Sequence, residues 1–181
     1  LGKHYERDLQ QVVSQIGLED LSDIEKTQRI INWFHTHYRY TLNLRREDSS
    51  IPAISDFLTN TKAGHCELFA SSTVLILRYL GIPSRYQTGY VVSEYSDLEG
   101  LFVVRGYHAH AWATAWIDGQ WIDVDTTPPD WTAQQPESSP GITDYLSYLW
   151  FQFTQWRLNQ GEWLPDTRWL WVIVPLLGWL L

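Results

Sequence analysis

The sequence predicts an α+β domain, and three observations carry that prediction. Helical periodicity with capping signals fills the chain up to Leu80, strand-like alternation follows from Arg85 to Asp125, and Asp118-Gly119 joins two alternating runs. With 181 residues and 44% hydrophobic content, the chain is long enough to bury a substantial core.

A first helix is predicted over Tyr5 to Ile16. Ser22-Asp23-Ile24-Glu25 has the form of a capping box and opens a second, carrying Ile24, Ile30, Ile31, Phe34 and Tyr38 and ending near Tyr40. Both read as packing elements. His35 and His37 lie two apart, so they point to different sides of that helix and suit a solvated surface better than a metal. Arg45 to Ser50 is polar and charged, an exposed loop, and a short helical stretch follows from Ser55 to Thr59. Leu68 to Leu80 places Leu68, Val74, Leu75, Leu77 and Leu80 on a broad apolar stripe, stopped by Gly81 and Pro83. Cys66 then occupies the first turn of this helix.

Strands are expected over Arg85 to Val92 and Leu101 to Arg105, with Ser93 to Gly100 a loop between them that either overhangs the site or simply connects the strands. His108 to Trp116 alternates with strand period and meets Asp118-Gly119, the strongest short-range signal for a two-residue hairpin turn. That turn pairs Ile117 with Gln120 and Trp116 with Trp121, which brings Trp112 opposite Asp125. His110 becomes a diagonal neighbour of Asp125 on one face, about 7 Å or less between side-chain origins. His108 lies one pair further away, and Asp123 sits opposite Thr114. The register selects His110 and Asp125.

Cys66 is the only cysteine, so it has no internal disulfide partner. At a helix start, unpaired N–H groups and the positive end of the helix dipole favour the anionic form of a thiol. A thiol there, an imidazole on a strand and a carboxylate on the next strand are the parts of nucleophilic acyl chemistry. The imidazole moves the proton, and the carboxylate fixes its tautomer and stabilises its charge. No step requires a cofactor.

Gly64-x-Cys66-x-x-Phe69-Ala70, Gly81-Ile82-Pro83-x-Arg85, Thr88-Gly89-Tyr90, His110-Ala111-Trp112 and Trp121-x-x-Val124-Asp125 occur in this order. The combination resembles the transglutaminase-like core, in particular its bacterial membrane-anchored branch, from about Ile24 to Pro129. The resemblance implies a papain-like fold, with the cysteine helix packed on an antiparallel sheet that bears the histidine and the aspartate. Carried over, Cys66 is the nucleophile, His110 the acid/base and Asp125 the orienting carboxylate. It also implies acyl transfer through a thioester at Cys66: transamidation or deamidation of protein glutamine, or hydrolysis of a peptide amide. The partners would be a glutamine-bearing or amide-bearing protein or peptide and an amine acceptor. Trp112, His108 and Tyr90 are the expected substrate-binding residues. The chain departs from the family where Asp125-Thr126-Thr127-Pro128 replaces Asp-Pro-Thr, and where His108 stands in place of a polar residue before Ala-His-Ala-Trp.

Two other readings compete. A zinc site could be assembled from Cys66, His65, His108 and His110, although the cluster lacks any paired C-x-x-C or H-E-x-x-H arrangement. A catalytically silent module could use the same cleft to hold a peptide or a cell-wall strand. A net charge of −8 without a basic stripe argues against a nucleic-acid surface.

The catalytic domain is expected over residues 1–133. A Pro/Ser-rich loop and an aromatic helical extension follow over 134–168, and an apolar tail over 169–181. Six of the eleven tryptophans fall between Trp150 and Trp179, and the last thirteen residues carry no charge. Thirteen residues rise about 20 Å as a helix, short of a hydrocarbon core of about 30 Å. The tail therefore reads as the beginning of a membrane span, or else as a terminal segment buried in the domain; Asp166, Arg168 and the tryptophans suit an interfacial belt. A membrane tail, with the resemblance, places the catalytic domain outside the cytoplasm. A start at Leu1, with no methionine anywhere, suggests a processed or excised piece.

Overall fold

A computed structural model describes residues 3–44, 50–97, 99–134 and 141–159. The helix α1 (Lys3–Ile16) buries Leu9, Val12 and Ile16, one stripe at helical spacing. In α2 (Asp23–His37) the capping box is formed: the Glu25 N–H donates to Ser22 Oγ (3.4 Å) and the Ser22 N–H to Glu25 Oε2 (2.8 Å). Ile30, Trp33 and Phe34 are buried, whereas Ile24 is exposed. The helix stops at His37, earlier than its periodicity implies, because Tyr38 turns extended and its hydroxyl donates to the buried Leu58 carbonyl (2.7 Å). Arg39–Tyr40 becomes a short strand, β1, parallel to β2 (Ala63–Gly64).

Between these strands, α3 (Ala53–Asp56) runs into a π-helical turn over Phe57–Thr61 that ends at Lys62 in a left-handed conformation. The short helix expected here is thus longer at both ends. Next comes α4 (Cys66–Tyr79), whose Phe69, Val74, Ile76 and Leu77 are buried. Phe34, Tyr38, Phe57 and Phe69 meet in one aromatic cluster that seats α4 against the N-terminal helices.

The principal sheet has the order β3-β6-β7 and is antiparallel, with β3 at Ser84–Tyr90, β6 at Ala109–Ile117 and β7 at Gln120–Val124. The hairpin has the register that Asp118-Gly119 predicts, Ile117 on Gln120 and Trp116 on Trp121. Both turn residues have positive φ, 51° and 82°, the condition that makes Asp-Gly effective. The inward face of β6 is Ala111, Ala113 and Ala115, small enough for α4 to lie close on the sheet. Helix packed on antiparallel sheet is the expected α+β architecture.

Two expectations fail in the middle of the chain. Ser93 to Gly100 is not wholly a loop, since β4 (Glu94–Ser96) pairs with β5 (Leu101–Val103) in a separate two-stranded sheet. His108 is not on β6; it closes a 3₁₀ turn, Gly106–His108, just before the strand.

The chain divides into two compact units, residues 1–95 with 102–136, and residues 96–101 with 137–181. The second contains α5 (Ile142–Asn159), a helix with exposed Trp150, Phe153 and Trp156. Among the described residues, no helix is long and apolar enough to cross a membrane. The tail over 169–181 lies outside them.

Candidate active site

Cys66 is the first residue of α4, and the preceding His65 side chain makes no capping hydrogen bond. Its thiol borders a cleft of about 270 Å³, lined also by His110, Glu67, Thr88, Gly89 and Tyr90. A larger cavity of about 380 Å³ adjoins, with Asp56, Phe57, His65 and Leu68 in its walls, and Glu67 borders both.

The His110 side chain is nearly buried, and Nε2 lies 2.7 Å from Asp125 Oδ2. Asp125 sits one residue past β7, and its other oxygen, Oδ1, accepts from the Thr127 N–H (2.9 Å). An ionised carboxylate only accepts, so Nε2 is the donor. Nδ1 is buried and makes no hydrogen bond of good geometry, yet Cys66 is close enough to act on the ring both as a hydrogen-bonding group and as a charge. Such contacts are commonly long before substrate arrives. Burial works against the imidazolium, but Asp125 and Cys66 outweigh it, through hydrogen bonding and charge, and push the His110 pKa up to about 9. Burial would raise the Asp125 carboxyl; hydrogen bonds from His110 and the Thr127 N–H, with the charge on His110, hold it below its ordinary value instead.

Trp112 lies near His110, ring centroids 6.1 Å apart and planes 15° from parallel, and its Nε1 donates to Asp123 (2.9 Å). Asp123 is thereby occupied with Trp112 and not with the imidazole. Gly89 permits this placement, because a Cβ there would stand 2.9 Å from the Trp112 ring. Tyr90 is on the cleft wall and exposed. His108 is elsewhere: it is 2% exposed, its Nδ1 accepts from the Arg105 N–H (3.1 Å), and its Nε2 faces Glu94 at 3.7 Å. Arg105 binds the same Glu94 carboxylate through Nε and Nη2, at distances down to 2.7 Å. His108 is therefore a buried member of a turn-closing polar cluster, not a rim residue open to substrate. The four zinc candidates do not converge, and among the described residues no three His, Cys, Asp or Glu side chains are disposed to hold a metal.

Two contributions were not anticipated from the sequence. Thr73 of α4 and Thr126 share a buried hydroxyl hydrogen bond of 2.6 Å, which ties the Cys66 helix to the segment bearing Asp125. Trp131, in a 3₁₀ turn over Pro129–Gln134, stacks on His110 with ring centroids 4.3 Å apart and planes within 6°. Its only local signal was an aromatic residue in a proline-rich polar stretch.

The transglutaminase-like superfamily model matches residues 10–126, a stretch that contains all of these groups except Thr127 and Trp131. The chain belongs to that superfamily. It is 30% identical over 142 residues to a protein-glutamine gamma-glutamyltransferase of Pseudomonas aeruginosa, an alignment covering 76% of this chain and 21% of that enzyme. A Mycobacterium leprae protein of uncharacterised function is 41% identical over 71 residues, 39% of this chain and 25% of that one. Among solved structures, the periplasmic domain of TgpA from Pseudomonas aeruginosa superposes with a TM-score of 0.64 at 24% identity, covering 75% of this chain and 49% of that one. A TGase crystal structure superposes with a TM-score of 0.52 at 14% identity, covering 78% of this chain and 36% of that one. The chain thus spans about a fifth of the transferase and about half of the TgpA domain.

Proposed function

We propose that this domain transfers the acyl group of a protein glutamine to an amine through a thioester on Cys66. One observation carries the reading: His110 is held at Nε2 by Asp125, its Nδ1 is buried without another partner, and Cys66 acts on the same ring as a hydrogen-bonding group and as a charge. In the first step the Cys66 sulfur attacks the glutamine δ-carbonyl carbon. The His110 imidazolium gives its proton to the departing nitrogen, the C–N bond breaks and ammonia leaves. The amine then attacks the thioester, its proton passes to the imidazole, a new C–N bond forms and the thiolate is released. Water in place of the amine gives glutamate. The developing oxyanion would take the Cys66 backbone N–H at the uncapped start of α4 as its first donor. The relative that is a glutamine gamma-glutamyltransferase supports this substrate class.

A glutamine peptide incubated with and without a primary amine, and analysed by mass spectrometry, tests the proposal. Amine incorporation with loss of ammonia, abolished by Cys66→Ala in a folded protein, is the expected result. Loss of ammonia with water taken up in its place, even when the amine is present, would make the domain a deamidase, peptide cleavage a peptidase, and an unmodified peptide under all conditions would leave a binding module. We also place the domain outside the cytoplasm, membrane-associated through its apolar tail. A reporter fusion active only on the cytoplasmic side would overturn that placement.

A further inference from the structure

We propose that Trp131 is a positioning residue for His110, its indole face holding the imidazole in its charged form with Nδ1 toward Cys66. The contact is close and nearly parallel, 4.3 Å between centroids and 6° between planes, and Trp131 is only 7% exposed. It is not a by-product of strand neighbours. Trp112 meets His110 because both lie on one face of β6, whereas Trp131 arrives from a separate turn six residues past Asp125.

The connecting segment is pinned along its length. Thr126 is bonded to Thr73 (2.6 Å), the Thr127 N–H to Asp125 (2.9 Å) and the Trp131 N–H to the Pro128 carbonyl (3.2 Å). The Tyr40 ring, 6.2 Å away, supports the indole.

A neutral imidazole gains only dispersion from an indole face, whereas an imidazolium also gains attraction to the ring quadrupole. The contact therefore favours the protonated ring. Among the described residues, the titratable groups acting on His110 are Asp125, just past β7, and Cys66 at the start of α4. Trp131 adds no charge to these.

The inference rests on His110 serving as the acid–base group, but the test reads the imidazole itself, so it stands or falls separately from turnover. The full chain with ¹³C-labelled histidine is titrated by NMR as wild type, Trp131→Phe and Trp131→Leu. Leucine keeps an apolar cover without a π face, and should lower the His110 midpoint by about one unit, a roughly tenfold weaker hold on the proton. Phenylalanine should restore most of the difference. The basic limb of kcat/KM should follow the same order. In the wild type alone, the His110 ring proton should be shifted upfield by the indole, which keeps the test open if the leucine variant does not fold. A Trp131→Leu midpoint equal to wild type, or an unshifted ring proton in the wild type, overturns the proposal.

Discussion

Asp125→Asn separates the charge of the carboxylate from its shape, and its effect can be worked from the geometry. The His110 pKa stands at about 9 against an ordinary 6.5, which corresponds to about 3 kcal/mol of preference for the imidazolium. That preference survives the burial of the ring, and Asp125 shares it with Cys66. The Asp125 side chain is 41% exposed, so water screens part of its long-range attraction. An asparagine oxygen can still accept from Nε2 across the 2.7 Å contact, so the bond persists while the charge is lost. We expect the midpoint to fall by roughly one to one and a half units. Two assays read it independently: the histidine NMR titration and the basic limb of kcat/KM, which reports the essential acid of the free enzyme. Under the proposed reaction, residual activity at the optimum is expected, because the Cys66 thiol remains. A midpoint still near the wild-type value would refute the assignment of Asp125 as the charge that sustains His110.

Stability should depend on pH through the same pair. The folded His110 binds its proton more tightly than an unfolded histidine, so its contribution is complete below about 6.5 and is lost as pH climbs through about 9. Asp125, held below 3.8, contributes above that value and loses the contribution as pH falls through its lowered pKa. Urea unfolding should show a plateau between about pH 4 and 6.5, and a decline of at most about 3 kcal/mol by pH 9.5; a flat profile would contradict it. Thr126→Val removes the bond to Thr73 without orphaning it, since Thr73 keeps its 2.8 Å bond to the Phe69 carbonyl. It should cost about 1 kcal/mol in urea unfolding and lower kcat more than it changes KM, and unchanged kinetics would deny the tie any role in holding Asp125. His108→Ala removes the buried imidazole that accepts from the Arg105 N–H, so about 1 kcal/mol of stability should disappear in thermal unfolding, while turnover well below Tm falls far less than in His110→Ala. The reverse order would return His108 to the chemistry.

What could be read in the chain was local or periodic. Asp118-Gly119 determines the β6–β7 register because only residues tolerant of positive φ close so short a turn, and that register brings His110 and Asp125 together. The capping box at Ser22 and the helix start at Cys66 were legible for the same kind of reason, a few neighbouring residues satisfying one another. The alternation that runs through His108 was misleading. Its side chain is claimed by Arg105 and Glu94, so the backbone turns before the strand begins. The pairing of β4 with β5 depended on a partner strand that Ser93 to Gly100, rich in turn formers, does not advertise. The Thr73–Thr126 bond spans 53 residues, and the Trp131 stack joins two elements with no shared period. Contacts of that range are set by the assembled tertiary structure, and neither 3.6-residue nor 2-residue spacing encodes them.

The unequal exposure of the pair also has a chemical consequence. The His110 side chain is 4% exposed and that of Asp125 is 41% exposed. A carboxylate left partly in water remains ionised without the full cost of burying its charge, and it still reaches the imidazole by one short hydrogen bond. Because that carboxylate can only accept, it keeps a proton on Nε2 whenever the ring is neutral, and the lone pair must then reside on Nδ1. Nδ1 is the buried nitrogen without a hydrogen bond, and Cys66 acts on the same ring. Under the proposed reaction, this tautomer is the one able to take the thiol proton and return it to the leaving nitrogen. A histidine bonded to Asp125 through Nδ1 would present the wrong atom to the sulfur. Under that reaction, the carboxylate and the buried ring act on one variable: which ring nitrogen is free to exchange a proton with Cys66.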